Sequence, residues 1–149
     1  MQTIRITDEL PDLSTLRAEA RAEGYRHMER LADEWESGAQ RFDKPGEALF
    51  AVFMEGEVAG IGGVTREPNE PDGAVLRARR LYVRPAYRKL GVGRAIAGAI
   101  VQEAFDEAPA LYVNVSAGGS DSQAASVFWE RMGFERVDGV AGISHRLMR

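Results

Sequence analysis

The chain has 149 residues, a formal net charge of −4 at pH 7, 44% hydrophobic residues and 28% charged residues, which suits a single domain over residues 1–149. It contains no cysteine, which excludes disulfides and thiolate metal sites, and its two histidines are far apart in sequence, so no metal is expected. No apolar run approaches the ~18 residues of a membrane span, and the N-terminus lacks the pattern of a secretory signal, so we expect a cytoplasmic protein without a membrane partner.

Two amphipathic helices follow a short predicted strand at residues 4–6. The first helix is predicted over residues 13–23, with Asp12 in a position to cap its start. The second ends at Gly38 and carries an apolar stripe at helical spacing, formed by Tyr25, Met28, Leu31 and Trp35. His27 lies off that stripe, which predicts a solvated histidine.

Three further strands are predicted in the middle of the chain. Residues 49–54 and 58–64 are apolar and flank a Glu-Gly pair, a spacing typical of an antiparallel hairpin. Two consecutive glycines at 62–63 indicate a bulge or a close approach of the backbone. A polar loop at 67–73 then leads into a strand at 75–83.

The remainder of the chain alternates helices and strands. The predicted elements are a helix from Arg94 to about Ala108, a strand at 111–116, a helix from Asp121 or Ser122 through Met132, and strands at 134–137 and 143–147. The order is strand, two helices, three strands, helix, strand, helix and two strands. It predicts an α/β (α+β layered) domain with helices on both faces of a mixed sheet.

The turn before the helix at Arg94 is the most informative segment for function. Gly91 and Gly93 allow the backbone to close around a phosphate. The first N–H groups of a helix have no partner within it, and the helix dipole places partial positive charge there. Arg88, Lys89 and Arg94 add mobile positive charge. This segment therefore predicts a diphosphate site.

Three phosphate-binding families have comparable turns. A P-loop requires a lysine followed by Ser or Thr, and a dinucleotide-binding turn requires a third glycine; this chain has neither. The pattern R-x-x-G-x-G in LYVRPAYRKLGVGRAI, residues 81–96, resembles the acyl-CoA pyrophosphate loop of the GNAT superfamily of N-acetyltransferases. Residues 125–134 are similar to the family's A-x-x-x-Y-x-x-x-G-F signature, with Trp129 at the tyrosine.

The resemblance covers nearly the whole chain and implies the GNAT fold, a mixed, mostly antiparallel sheet of about seven strands. It implies that acetyl-CoA is the co-substrate and that the acetyl group passes directly to a primary amine of a small molecule or peptide in a ternary complex. The strand at 81–83 is expected to splay from the strand at 111–115 and to bind the pantetheine arm, while backbone N–H groups from Lys89 to Arg94 hold the pyrophosphate. The implied cofactor-binding residues are Leu81, Tyr82, Val83, Arg88, Lys89, Leu90, Gly91, Val92, Gly93, Arg94 and Ser122.

Three positions depart from the family pattern. Trp129 replaces a tyrosine acid beside the CoA sulfur, Ser122 stands where an asparagine is common, and Arg77 stands where a glutamate is frequent. An indole cannot supply a useful proton, although a thiolate with a pKa near ~8.5 needs little acid assistance to leave. The catalytic residues are therefore unassigned, and a catalytically weak or inactive acyl-CoA-binding module is the alternative function.

Two further sets of ionisable residues have open roles. The loop carboxylates Glu67, Glu70 and Asp72 are candidate bases, with solvated side chains as the simpler interpretation. His145 shares a strand face with apolar residues, which favours a hydrogen-bonded core histidine.

Seven basic residues between positions 77 and 94 form a charged patch with no acidic residue among them: Arg77, Arg79, Arg80, Arg84, Arg88, Lys89 and Arg94. Such a patch is compatible with nucleic acid, but the rest of the chain is acidic and no aromatic platform accompanies it. A small polyanion fits better, so no nucleic-acid partner is expected. The side chains of Arg77, Arg79 and Arg80 are interpreted as solvated or substrate-facing. As for oligomeric state, the protein is expected to be a monomer or homodimer.

Overall fold

A computed structural model of the protein describes residues 1–68, 70, 74–115 and 119–149. The order of elements is the predicted one. The strands are β1 (Gln2–Ile6), β2 (Ala48–Met54), β3 (Glu57–Arg66), β4 (Val75–Val83), β5 (Ala110–Val113), β6 (Glu135–Arg136) and β7 (His145–Met148). The helices are α1 (Ser14–Ala22), α2 (His27–Ser37), α3 (Val92–Glu107) and α4 (Gly119–Arg131), with a 3₁₀ turn at Pro85–Tyr87.

The strands form one seven-stranded sheet in the order β1-β2-β3-β4-β5-β7-β6. Every neighbouring pair is antiparallel except β4 and β5, which are parallel. The predicted mixed, mostly antiparallel sheet is therefore confirmed.

The helices cover both faces of the sheet, as predicted. One buried cluster joins the sheet to α3 and α4 and includes Ile96, Ile100 and Trp129. The other joins the opposite face to α1 and α2 and includes Leu16 and Met28. Full burial of a side chain of this size contributes roughly 1.5–3 kcal/mol, so these two clusters hold the layers together. Within the described ranges, no helix is both long enough and apolar enough to cross a membrane.

Several element ends differ from their predicted positions. The third helix begins at Val92 rather than Arg94, directly after Gly91, which is the N-cap residue and adopts the left-handed conformation (φ 89°). The fourth helix begins at Gly119, before the predicted start. The fifth strand ends at Val113, and Ser116, where the prediction ended it, lies outside the described residues.

The glycine pair in β3 lies at a β-bulge, as predicted. The register with β4 passes from Ile61 opposite Tyr82 to Gly63 opposite Arg79, which leaves two residues of β4 opposite Gly62. The backbone also approaches its neighbours closely, since a Cβ atom at Gly62 would lie 2.8 Å from Ile96 Cγ2. Side chains are excluded here by the packing of α3 against the sheet.

Candidate functional site

The parallel strands β4 and β5 separate soon after they meet. They pair only from Val75 opposite Ala110 to Arg77 opposite Tyr112. The fourth strand continues to Val83, whereas the fifth ends at Val113. Beyond Arg77, β4 has no ladder partner on its β5 side among the described residues, which agrees with the predicted splay; we refer to this unpaired side of β4 as the gap.

Two carbonyl groups of β4 that face away from the β3 ladder are engaged by side chains. The Val83 oxygen accepts a hydrogen bond from Arg88 Nε at 3.0 Å, and the Leu81 oxygen lies 3.3 Å from His27 Nε2. The N–H of Arg84, the next residue, donates to Ala59 of β3 at 2.9 Å. Because successive backbone groups of a strand point to opposite sides, Val83 directs its own groups away from β3. Residues 81 and 83 thus direct backbone groups away from β3, and an extended ligand can pair with their N–H groups, whereas their carbonyl oxygens are engaged by His27 and Arg88.

The turn after β4 places a helix N-terminus at the end of this gap. Lys89 (φ 63°) and Gly91 (φ 89°) are both left-handed. Leu90 is 54% exposed, and the side chains of Lys89 and Arg94 are also exposed. Gly93 has a packing role as well, since a Cβ atom there would lie 3.3 Å from Phe128 Cε1. The first N–H groups of α3 have no partner within the helix, which is the arrangement that binds an anion.

Arg88 is held by an acidic residue instead of projecting freely from this turn. Its two terminal nitrogens donate to Glu23 at 2.9 and 2.6 Å. Its guanidinium also lies 5.6 Å from the centre of the Tyr82 ring. The hydrogen bond from Arg88 lowers the pKa of Glu23, and the same bond raises the pKa of Arg88. A phosphate contact from Arg88 stays a prediction, and Glu23 is a partner that the motif did not reveal.

The prediction of a solvated His27 is wrong. Its ring makes edge-on contacts with Tyr25 and Tyr82, at centroid distances of 5.3 and 5.8 Å. Burial lowers the pKa of His27 below its ordinary value near 6.5. Tyr82 is itself buried, and its hydroxyl donates to Glu23. Burial raises the pKa of Tyr82, which keeps that hydroxyl protonated.

Two arginines that were interpreted as solvated or substrate-facing are in ion pairs. Arg77 is 15% exposed and donates to both carboxylate oxygens of Glu67, at 2.7 and 3.0 Å. Arg80 is 12% exposed and donates to Glu34 at 3.0 Å. Arg79, between them, is half-buried and forms no hydrogen bond or ion pair with any described residue.

The candidate bases have different outcomes. The side chain of Glu67 is 1% exposed, so its interpretation as a solvated carboxylate is wrong, and Arg77 occupies both its oxygens. Glu70 is exposed, and Asp72 lies outside the described residues. His145 is a hydrogen-bonded core histidine, as predicted, with its ring nitrogens 2.9 Å from Ser144 Oγ and from Glu130 Oε2.

The two remaining positions compared with the family, Trp129 and Ser122, lie on α4. Trp129 is 5% exposed, and its ring is 5.1 Å from that of Phe128 and 5.0 Å from that of Phe134. It is therefore a core residue under the sheet. Ser122 lies in the first turn of the helix.

Three solved structures share this fold over nearly their whole length. A protein from Exiguobacterium sp. 255-15 assigned as an acetyltransferase is 26% identical, with 99% of this chain and 92% of that chain covered and a TM-score of 0.83. A GNAT-family protein from Desulfovibrio desulfuricans is 19% identical, with 99% of each chain covered and a TM-score of 0.73. Ribosomal-protein-alanine N-acetyltransferase from Brucella melitensis is 20% identical, with 99% and 96% covered and a TM-score of 0.67.

The sequence comparison gives the family directly. No curated protein matches the chain significantly. The model of the acetyltransferase (GNAT) family, however, matches residues 10–134, which include the gap, the turn and all four helices down to the end of α4. This chain therefore belongs to the GNAT family of acetyltransferases, which implies acyl transfer from CoA.

Proposed function

We propose that the protein is an acetyl-CoA-dependent N-acetyltransferase that moves an acetyl group to a primary amine of a small molecule or peptide. Residues 1–149 form its single domain, and no metal takes part. The observation that carries this proposal is the gap between β4 and β5, which leads to the N-terminus of α3 at Gly91. Such a gap accommodates an extended arm, and such a helix start accommodates a diphosphate.

In this proposal the pantetheine arm lies along residues 81–83 and bonds to their backbone. The pyrophosphate lies over the backbone N–H groups from Lys89 to Arg94, with the exposed side chains of Lys89 and Arg94 adding charge. Arg88 joins them when it exchanges Glu23 for phosphate. Ser122, in the first turn of α4, is the remaining cofactor contact.

The acetyl group passes directly from sulfur to nitrogen. The bulge at Arg80 (φ 60°) turns the β4 backbone out of the regular ladder beside the gap, which supports a role for its N–H groups in polarising the thioester carbonyl. The amine attacks that carbonyl, and the CoA thiolate leaves with the electrons of the C–S bond. The chain has no cysteine to form an acyl-enzyme, which favours a ternary complex.

His27 is the base that we propose for the acceptor amine. A lysine-like amine with a pKa near 10.4 must lose a proton at pH 7, which costs roughly 4–5 kcal/mol. Because a carbonyl oxygen only accepts, the His27 Nε2 that faces the Leu81 oxygen must carry the hydrogen, so Nδ1 is free to take a proton. Burial lowers the pKa of His27, so the ring is neutral at pH 7 and available as a base.

Steady-state kinetics with acetyl-CoA and a panel of amines test this function. We expect thiol release that depends on the amine, an acetylated amine by mass spectrometry, and intersecting double-reciprocal plots. Parallel plots would contradict direct transfer, because they indicate a covalent enzyme intermediate.

A non-catalytic acyl-CoA-binding module is the second candidate. It is favoured by Trp129, a buried core residue at the position of the family's tyrosine acid. Tight binding of CoA by calorimetry, with no thiol release on any amine, would favour the module over the enzyme.

We do not propose a nucleic-acid partner. Four of the seven basic residues of the charged patch are in ion pairs, namely Arg77, Arg80, Arg84 and Arg88. Binding of nucleic acid that weakens steeply with salt would overturn this. A monomer or homodimer in the cytoplasm stays our prediction.

A further inference from the structure

Arg79 lies at a defined place on the sheet. It is opposite Gly63 of β3 and directly precedes the bulge residue Arg80. Its neighbours on β4, Leu76 and Ala78, belong to the core cluster under α3 and α4. Because side chains alternate along a strand, Arg79 lies on the opposite face, which α1 and α2 cover.

The charges around Arg79 do not balance. Glu67 pairs with Arg77, and Glu34 of α2 pairs with Arg80. Three guanidinium groups thus share two carboxylates, and Arg79 has neither an ion pair nor a hydrogen bond within the ranges that the structure describes. Burial and the adjacent charge of Arg80 lower the pKa of Arg79, although Glu34 and Glu67 act in the opposite direction. A half-buried guanidinium in this state favours an anionic ligand.

The place of Arg79 relative to the gap suggests which ligand that is. Arg77 is the last residue of β4 that pairs with β5, so Arg79 is the first residue on its face beyond the point where the strands separate. The same region is bordered by α2 through Glu34 and by the loop before β7, where Gly142 accepts a hydrogen bond from Arg77 at 2.7 Å. If acetyl-CoA fills the gap as proposed above, an amine that enters beside α2 passes Arg79.

We propose that Arg79 binds a carboxylate of the acceptor, so that the substrate class is a primary amine that also carries a carboxylate. A planar guanidinium pairs with a carboxylate through two parallel N–H···O bonds. The three guanidinium groups of this cluster, which share two carboxylates, also repel polycationic acceptors such as polyamines. This inference rests on the proposed acetyltransferase function, which it narrows to one class of acceptor.

Matched acceptors test the inference. Each set contains an amino acid, its carboxamide and the amine without the carboxyl group, for α-, β- and γ-amino acids, because the spacing between the two groups is open. In at least one set we expect kcat/KM for the carboxylate to exceed that for the carboxamide by about 10- to 100-fold, the usual range for a charged hydrogen-bonded pair.

Variants then assign the preference to Arg79. We expect Arg79→Gln to abolish the preference while the KM for acetyl-CoA and the midpoint of thermal unfolding change little, because no described partner is lost. Arg79→Lys should keep part of the preference for carboxylate acceptors, since lysine retains the positive charge but cannot form a bidentate pair of hydrogen bonds. Arg131→Gln is the control, because Arg131 is an exposed arginine on α4, across the sheet from Arg79, and its loss should leave the preference intact.

The outcomes separate this inference from the proposed function. Turnover with equal rates for carboxylates and carboxamides, or a preference that survives Arg79→Gln, would overturn the inference and leave the acetyltransferase function standing. If no amine is turned over, calorimetric titration of the same sets onto the CoA-saturated protein decides. Carboxylate binding that requires Arg79 would then support the inference, although the proposed acetyltransferase function would fail. The absence of such binding would overturn the inference together with the proposed function.

Discussion

Glu23 accepts hydrogen bonds from both terminal nitrogens of Arg88, at 2.9 and 2.6 Å, and so joins the end of α1 to the proposed pyrophosphate turn. The same carboxylate accepts the hydroxyl hydrogen of Tyr82 in β4. Glu23 therefore forms the ion pair with Arg88, the arginine of the R-x-x-G-x-G pattern. A diphosphate that recruits Arg88 must compete with this carboxylate, and it must also tolerate the negative charge beside it.

Glu23→Gln should tighten CoA binding by about three- to tenfold at low ionic strength, because it removes a competing negative charge and releases Arg88. The gain should shrink as salt is added, since exposed charges are screened over ~10 Å at about 0.1 M salt. Calorimetric titration of CoA at low and high salt measures it. Glu29→Gln is a matched control, because Glu29 is also 30% exposed and pairs with an arginine, Arg17, elsewhere on the helices. Weaker binding by Glu23→Gln, or an equal gain in the control, would contradict the competition.

Gly91→Asp should abolish measurable CoA binding, because it places a carboxylate where the diphosphate is proposed to lie. Gly91 has φ 89°, so any side chain there also costs about 1–2 kcal/mol of folding free energy. Gly91→Asn has the same strain and nearly the same volume without the charge, and we expect it to retain most of the affinity. Calorimetry and thermal unfolding of both variants measure the two effects. Equal CoA affinity in the Asp and Asn variants would show that the diphosphate lies elsewhere.

The fold was predictable from the sequence because its determinants are local. The apolar runs of β2 and β3 on either side of a Glu-Gly turn, the helical stripe of α2, and the glycines at 38, 91 and 133 are each visible within a few residues. The splay of β4 was expected from the family resemblance, since no local pattern reports where two parallel strands part. The start of α3 was misplaced by two residues because Gly91, rather than Gly93, is the cap.

The site was harder to predict because its interactions join distant parts of the chain. His27 is off the stripe of its own helix, yet it is half-buried because β4, 54 residues further along, packs against it. Likewise, Arg80 and Arg84 lie in a segment without acidic residues, but their carboxylate partners are 46 and 65 residues away. Hydrophobic periodicity and local charge predict contacts within one element and its immediate neighbours in sequence. They do not predict contacts with elements that are distant in sequence.

His27→Gln should lower kcat by about 10²- to 10⁴-fold, the usual contribution of a general base, and leave the KM for acetyl-CoA nearly unchanged. In the native enzyme, kcat/KM should fall on the acid side of neutrality, at a pH below about 6.5, because burial lowers the pKa of His27 and protonation removes the base. The variant should lose this limb and recover rate toward high pH, where the amine deprotonates unaided. Tyr25→Phe, a change in the neighbouring ring, should preserve the limb. An acid limb that persists in His27→Gln would assign the base elsewhere.

Trp129→Tyr and Trp129→Phe should have equal kcat within about threefold, although the first restores the phenol of the family pattern. Both variants shrink a ring that is 5% exposed between Phe128 and Phe134, and each should lose about 1–3 kcal/mol of unfolding free energy, measured by urea denaturation. Their kcat values should agree because a thiolate with a pKa near ~8.5 leaves without an acid, so the added hydroxyl has no slow step to assist. If Trp129→Tyr were tenfold faster than Trp129→Phe, expulsion of the thiolate would be the slow step. The presence of Trp129 in place of the family's tyrosine would then mean that the protein lacks a catalytic acid, which would strengthen the case for a binding module.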